Sequence, residues 1–224
     1  MDEPANSLAH NLIESFAFAM SGRNRRKKYQ EFLDLLRPRS TDTILDIGAS
    51  DGDISAGDNY LEKHYPHPER ITAVSPIPLE RFSGRYPKIA AITGDGCDLP
   101  FPDRSFDIAY SNAVIEHVGS RARQVQFVRE MRRVSRRGYL TTPNRLFPIE
   151  VHTRLPLLHL ILSKQKFDRC CEFIGKGWAA GDYMNLLSRG ELELLLQAAG
   201  IANYRIRPMR LFGLALTYTA TWVN

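Results

Sequence analysis

Thr43-Ile-Leu-Asp-Ile-Gly48-Ala-Ser-Asp-Gly52 is the stretch on which the reading of this chain turns. Ile44, Leu45 and Ile47 make a short apolar run of the length of a buried strand. Gly48 and Gly52 follow, and glycine lets a backbone turn sharply and approach a ligand closely. Asp46 stands just before the first glycine. A carboxylate there suits a cationic amino group and repels a pyrophosphate, and the GxGxxG spacing of a dinucleotide site is absent. Taken alone, the segment is equally a glycine-rich corner of any α/β protein.

Working outward, further strands are predicted over Arg70–Ser75, Ile89–Thr93, Phe106–Ser111 and Gly138–Thr142, with a helix over Arg121–Val134 before the last. Strands alternating with helical segments predict βαβ units and a mostly parallel sheet. Upstream, residues 1–40 read as helical and basic. Leu12, Ile13, Phe16 and Met20 recur at helical spacing. Arg25–Leu36 puts Tyr29, Phe32, Leu33 and Leu36 on one face before Pro38 closes it. Downstream, Ser188 and Glu191 have capping-box spacing ahead of a helix to Ala199, which Gly200 ends. Ala202–Arg207 and Leu211–Trp222 read as a hairpin at the sheet edge. The expected architecture is α/β: a Rossmann-like, seven-stranded, mostly parallel sheet with an antiparallel C-terminal hairpin and helices on both faces. One domain is expected over 1–224, with a helical cap over 1–40. A long irregular insertion over 144–187 is expected above the carboxyl ends of the strands, where open sheets bind ligands.

Composition narrows the classes. A chain of 224 residues, 43% of them apolar, buries a sizeable core. The apolar runs Leu155–Leu162 and Leu211–Leu216 are too short to span a bilayer. The start, MDEPANSLAH, carries acids where a signal peptide needs positive charge, so a cytoplasmic protein is expected. Cys97, Cys170 and Cys171 form no CxxC pair, which supports neither a disulfide scaffold nor a cysteine zinc site, and no metal is expected. The net charge of +5 allows an anionic partner without naming one.

A second chemical signal follows strands three and four. Gly94-Asp95-Gly96-Cys97-Asp98-Leu99 leaves the third strand, and Asn112-Ala-Val-Ile-Glu-His117 leaves the fourth at the same edge. Asp95 can accept a hydrogen bond from the exocyclic amine of a purine. Asp95 and Asp98 are equally read as turn-capping acids, and Asp107 as structural.

ILDIGASDG, GDGCDLPFPDRSFDIAYSNAVIEHV, GYLTTPN and SRGELELLLQAAG, in that order from about residue 25 to the end, resemble class I S-adenosylmethionine-dependent methyltransferases, especially a broad group acting on small molecules. The resemblance implies a cofactor, S-adenosylmethionine, whose methionine part faces Asp46 and Gly48. It implies that Asp95 holds the adenine amine, with Gly96 or Cys97 beside the ring, and that Asn112 lies near the sulfonium. One position departs from the family pattern. Strand two ends in Ser75, where the family usually has an acid for both ribose hydroxyls. Serine makes one such bond. Asp51 or Asp53 is a possible substitute.

Methyl transfer needs alignment and sometimes one base. His117 and His152 are the candidate catalytic residues, with Glu150 and Tyr183 behind them. His117 is equally read as a structural histidine at a helix start. Arg145 and Arg154 are candidates to hold an anionic acceptor. A pocket with Phe147, Leu155, Phe167 and Trp178 fits a small, partly apolar acceptor. Two alternatives to a small-molecule methyltransferase stay open. One is an RNA methyltransferase, for which basic clusters at 23–28 and 129–137 speak but no RNA-binding module does. The other is a non-catalytic nucleotide- or partner-binding module of the same fold.

Overall fold

A computed structural model describes residues 23–53, 57–149, 155, 157–177, 180–181 and 184–224. The first predicted helix, together with Glu150, His152, Arg154, Trp178 and Tyr183, lies outside the described residues.

A helix over 23–36 (α1) leads into β1 (Ile44–Ile47). Next come α2 (Tyr60–His64), β2 (Ile71–Ser75), α3 (Glu80–Arg85), β3 (Ala90–Thr93) and β4 (Phe106–Asn112). The long helix α4 (Arg121–Val134) runs directly into β5 (Ser135–Pro143). The segment expected to be irregular carries α5 (Leu158–Ile161) and α6 (Lys164–Phe173). The chain ends with α7 (Arg189–Ala198), β6 (Tyr204–Leu211) and β7 (Leu214–Val223). Both halves of the predicted capping box form. Ser188 accepts from the Glu191 N–H, and the Glu191 carboxylate accepts from the Ser188 N–H.

The sheet order is β3-β2-β1-β4-β5-β7-β6. The first five strands are parallel, and β7 runs antiparallel between β5 and β6. The expected architecture is therefore the one present. The chain order reverses between β1 and β4. The crevice outside their carboxyl ends is the switch point at which open α/β sheets bind ligands.

Strand alternation divides the core into two layers. Leu45, Ile47, Ala109 and Leu140 pack with Phe127, Met131, Leu192 and Leu195 from α4 and α7. Ile44, Ile108, Tyr110 and Tyr139 pack on the other face with Phe32 of α1, Leu61 of α2 and Phe82 of α3. Phe32 sits edge-on to Tyr110 and Tyr139, which stack on each other 5.2 Å apart. These rings fix α1 across the middle of the sheet. The same two-residue period places Asp46, Asn112 and Thr141, the next residues along β1, β4 and β5, on the α1 face at its carboxyl edge.

Candidate active site

Asp46 is 7% exposed, and Glu62 of α2 is buried beside it. The two carboxyl groups share a hydrogen bond. Burial first, and the neighbouring Glu62 second, push the Asp46 carboxyl well above the usual carboxylate range, while Arg25 of α1 opposes the shift. Glu62 Oε1 is buried with no hydrogen-bond partner among the described residues. A buried acid pair with an open acceptor fits a cation with several N–H donors, such as the ammonium of an amino acid. Gly48 borders the same hollow as Arg25, Asp46 and Asn112. Its φ is +105°, and a Cβ there would lie 2.3 Å from Val114 Cγ2. The turn between β1 and α2 can hold only glycine at this position.

One strand further, Asn112 Oδ1 accepts from Thr141 Oγ1 at 2.6 Å and from Lys28 Nζ at 3.2 Å. Lys28 Nζ also lies 3.3 Å from Thr141 Oγ1. Lys28 is 5% exposed, so it is no part of a solvated basic run. Burial, reinforced by Arg25, lowers its ammonium from 10.5 to about 7, against the weaker pull of Glu116 and Glu31. Sequence reasoning missed this residue by counting it with its charged neighbours. Its position was readable: Lys28, Phe32 and Leu36 recur at four-residue spacing on the helix face that packs against the sheet.

At the far end of the crevice, Asp95 leaves β3. Its Oδ1 accepts from the Cys97 N–H at 2.9 Å, and its Oδ2 accepts from Arg123 of α4 at 2.8 Å. Desolvation works to raise the Asp95 carboxyl, but Arg123 and the Cys97 N–H hold it below the ordinary range. Gly96 packs on Phe127, with 2.6 Å available to a side-chain carbon. The Cys97 thiol donates to the Arg123 carbonyl at 3.4 Å, and burial raises it to about 11, so it is no nucleophile. Ser75 ends β2 as expected and is buried, its Oγ accepting weakly from the Ile77 N–H at 3.4 Å. Of the two acids named as substitutes, Asp53 is held by Lys63 at 2.6 Å and by Tyr86 at 3.1 Å. Asp51 reaches over the loop after β2, its Oδ1 accepting from the Phe82 N–H at 3.0 Å.

Comparison with known proteins fits this arrangement. A family model described as a methyltransferase domain matches residues 45–141. Over these residues, somewhat less than half of the chain, it is similar to a methyltransferase domain. A protein of Mycobacterium tuberculosis named as a probable S-adenosylmethionine-dependent methyltransferase is 42% identical over 65 residues, 28% of this chain and 23% of that protein. The curated relatives are matched over less than a quarter of their length. Among solved structures, an S-adenosylmethionine-dependent methyltransferase from Mesorhizobium loti superposes with a TM-score of 0.61 at 15% identity, covering 88% of this chain and 98% of that one. One from Methanosarcina mazei gives 0.53 at 19% identity, covering 82% and 92%. At these identities the likeness is one of fold.

In this chain, His117 closes the turn Ile115–His117 just beyond Asn112, and its N–H donates to the Val114 carbonyl. His152 lies outside the described residues. A cavity of about 340 Å³ opens beside the insertion, lined by Arg121, Arg145, His159, Phe167 and Met184 among others. Arg121 and Arg145 both reach Glu191 Oε1, each at 3.2 Å. Among the described residues no cluster of potential ligands could hold a metal, and no helix is long and apolar enough to cross a membrane.

The basic clusters are divided between exposed residues, among them Arg26, Lys27, Arg129 and Arg132, and residues engaged within the fold. Arg136 and Arg137 lie on β5, not on α4. Arg137 pairs with Asp42, and Arg133 binds Glu130, Asp103 and two backbone carbonyls. Asp107, read as structural, accepts from the Thr43 N–H and hydroxyl at the opposite end of the strands from the site.

Proposed function

We propose that this chain binds S-adenosylmethionine in the crevice between β1 and β4 and transfers its methyl group to a small-molecule acceptor by in-line displacement. The observation that carries the reading is the buried Asp46–Glu62 pair beside Gly48, at the point where the strand order reverses. When bound, the cofactor supplies a methyl group on a positively charged sulfur, which needs no further activation. The acid pair takes the methionine ammonium, and Gly48 admits the backbone of that moiety. Ser75 meets one ribose hydroxyl, and Asp51 is the acid available for the other. Asp95 keeps lone pairs for the adenine amine, with Gly96 and Cys97 beside the ring. Asn112 is fixed by Lys28 and Thr141 near the sulfonium. His117 is the candidate beyond it to handle the acceptor.

A small acceptor is supported by the cavity of about 340 Å³ with mixed apolar and charged lining, a size typical of small-molecule sites. It is supported too by the engagement of Lys28, Arg133 and Arg137 within the fold, which leaves those basic residues unavailable for a phosphate-binding track. The test is calorimetry with S-adenosylmethionine and S-adenosylhomocysteine, followed by transfer of a labelled methyl group to a panel of small acceptors. Saturable binding of both ligands and label in one acceptor class are expected. Silence with both ligands at millimolar concentration would leave a non-catalytic module of this fold.

A further inference from the structure

Lys28 stands where a buried cation ought not to be. No carboxylate among the described residues forms an ion pair with it. The charged groups around it are Arg25 and Glu31 on its own helix and Glu116 from the turn after β4. Glu31 accepts from Thr219 Oγ1 at 2.7 Å, and Glu116 accepts from Thr142 Oγ1 at 3.2 Å. Asp46 of β1 is turned to Glu62. From β5, Tyr139 donates to the Lys28 carbonyl at 2.8 Å, which ties the helix down at this residue. Among the described residues its amine forms hydrogen bonds with two neutral side chains, Asn112 and Thr141. Unpaired buried ammonium groups are costly, and the ordinary outcome is loss of the proton. An amine whose proton affinity is lowered to about 7 is neutral in a large share of molecules near neutral pH, and the neutral form has a lone pair to offer.

Its placement says to what. The cofactor crevice lies between β1 and β4, and Lys28 lies at the carboxyl ends of β4 and β5, one strand along. Its amine is bonded to Asn112, the residue that the cofactor reading sets near the sulfonium. We propose that Lys28 is the proton acceptor of the methyl-transfer step, which implies an acceptor whose attacking oxygen or nitrogen carries a proton. The inference rests on the cofactor reading above. The step balances. The acceptor atom forms a bond to the methyl carbon, the carbon–sulfur bond breaks with its electron pair going to sulfur, and the acceptor's proton goes to Lys28 Nζ. The resulting ammonium then returns its proton to solvent. The titration near 7 fits the duty, because a base works best with a proton affinity close to the working pH.

The same geometry gives a test that needs no acceptor. S-adenosylmethionine carries a positive sulfur and S-adenosylhomocysteine does not, while both present the same ammonium to Asp46 and Glu62. A charged Lys28 beside the sulfur therefore penalises only the first ligand. Dissociation constants for both are measured by calorimetry from pH 6 to 8 in wild type and Lys28→Met, with melting curves to confirm that the variant is folded. In wild type the ratio of the S-adenosylmethionine to the S-adenosylhomocysteine constant should fall about tenfold as the pH rises, the scale of a partly screened charge pair. In Lys28→Met the ratio should stay flat at the wild-type high-pH value. A wild-type ratio constant within twofold, or an equal fall in Lys28→Met, overturns the proposal and leaves the cofactor reading standing. Failure of both ligands to bind overturns the two together.

Discussion

Two aspartates four residues apart, one on β1 and one just before it, sit in opposite electrostatic worlds. Asp42, at the amino edge, is fully buried and bonded to Arg39 and Arg137. Burial would raise its carboxyl, but the Arg39 N–H, the Arg39 guanidinium and Arg137 together hold it below the usual range. Asp46, at the carboxyl edge, is nearly as buried, yet its nearest partner is another acid and its carboxyl is pushed up. One end of the sheet matches its charges, and the other leaves them mismatched. Matched charges hold a fold together. A mismatched pair is tolerated where a ligand supplies the missing counter-charge.

Asp42→Ala breaks the matched end most directly. It strands Arg137 in a partly buried position and should cost about 2–4 kcal/mol of stability, read by denaturant unfolding. Cofactor affinity in the folded fraction should stay within twofold. Loss of affinity would blur the division between the two ends.

At the mismatched end the signs reverse. Glu62→Gln replaces an acid by a neutral isostere of its protonated form. It should stabilise the empty protein at neutral pH by on the order of 1 kcal/mol while weakening binding of both cofactor forms severalfold. A variant less stable than wild type would mean that the acid pair is structural. The pH limbs follow the same logic. Asp42 has a lowered carboxyl, so its contribution is present above the unfolded value and is lost as pH falls through the folded one. Asp46 has a raised carboxyl, so its contribution is present at low pH and is lost as pH rises through the folded value. The stability profile of Glu62→Gln should show a smaller second loss, with the share due to burial of Asp46 remaining. Lys28 adds a rise in stability from about pH 7 toward 10.5, where only the unfolded chain still holds the proton, and Lys28→Met should abolish it.

The smallest effect belongs to Arg123. Its pair with Asp95 is half exposed on both sides, so Arg123→Ala should change stability by less than about 1 kcal/mol. A larger loss would show that the adenine end is held by charge rather than by the Gly96–Phe127 packing.

Much of this was legible in the sequence. The apolar runs placed Asp46 beside the glycine corner and Asn112 at the end of β4, and the capping box placed α7 to within a residue. The partners were not legible. Glu62 lies on a five-residue helix with no motif of its own, and only the return of α2 onto β1 makes it a neighbour of Asp46. Lys28 reads as one of four consecutive cations until the helix face is assigned, and its lowered proton affinity follows from its burial over the strand ends. Local pattern gives an element and its ends, whereas burial and proton affinity arise from tertiary neighbours.

The central claim is that the crevice beside Gly48 receives the cofactor. Titration of S-adenosylhomocysteine into wild type and Gly48→Ala, with melting curves alongside, tests it directly. The added methyl would lie 2.3 Å from Val114, on a backbone with φ of +105°. The expected result is a wild-type dissociation constant of about 1–100 μM, in the usual range for enzyme ligands, and at least a hundredfold weakening in a variant that still melts cooperatively. Undiminished binding in Gly48→Ala, or none in wild type, would contradict it.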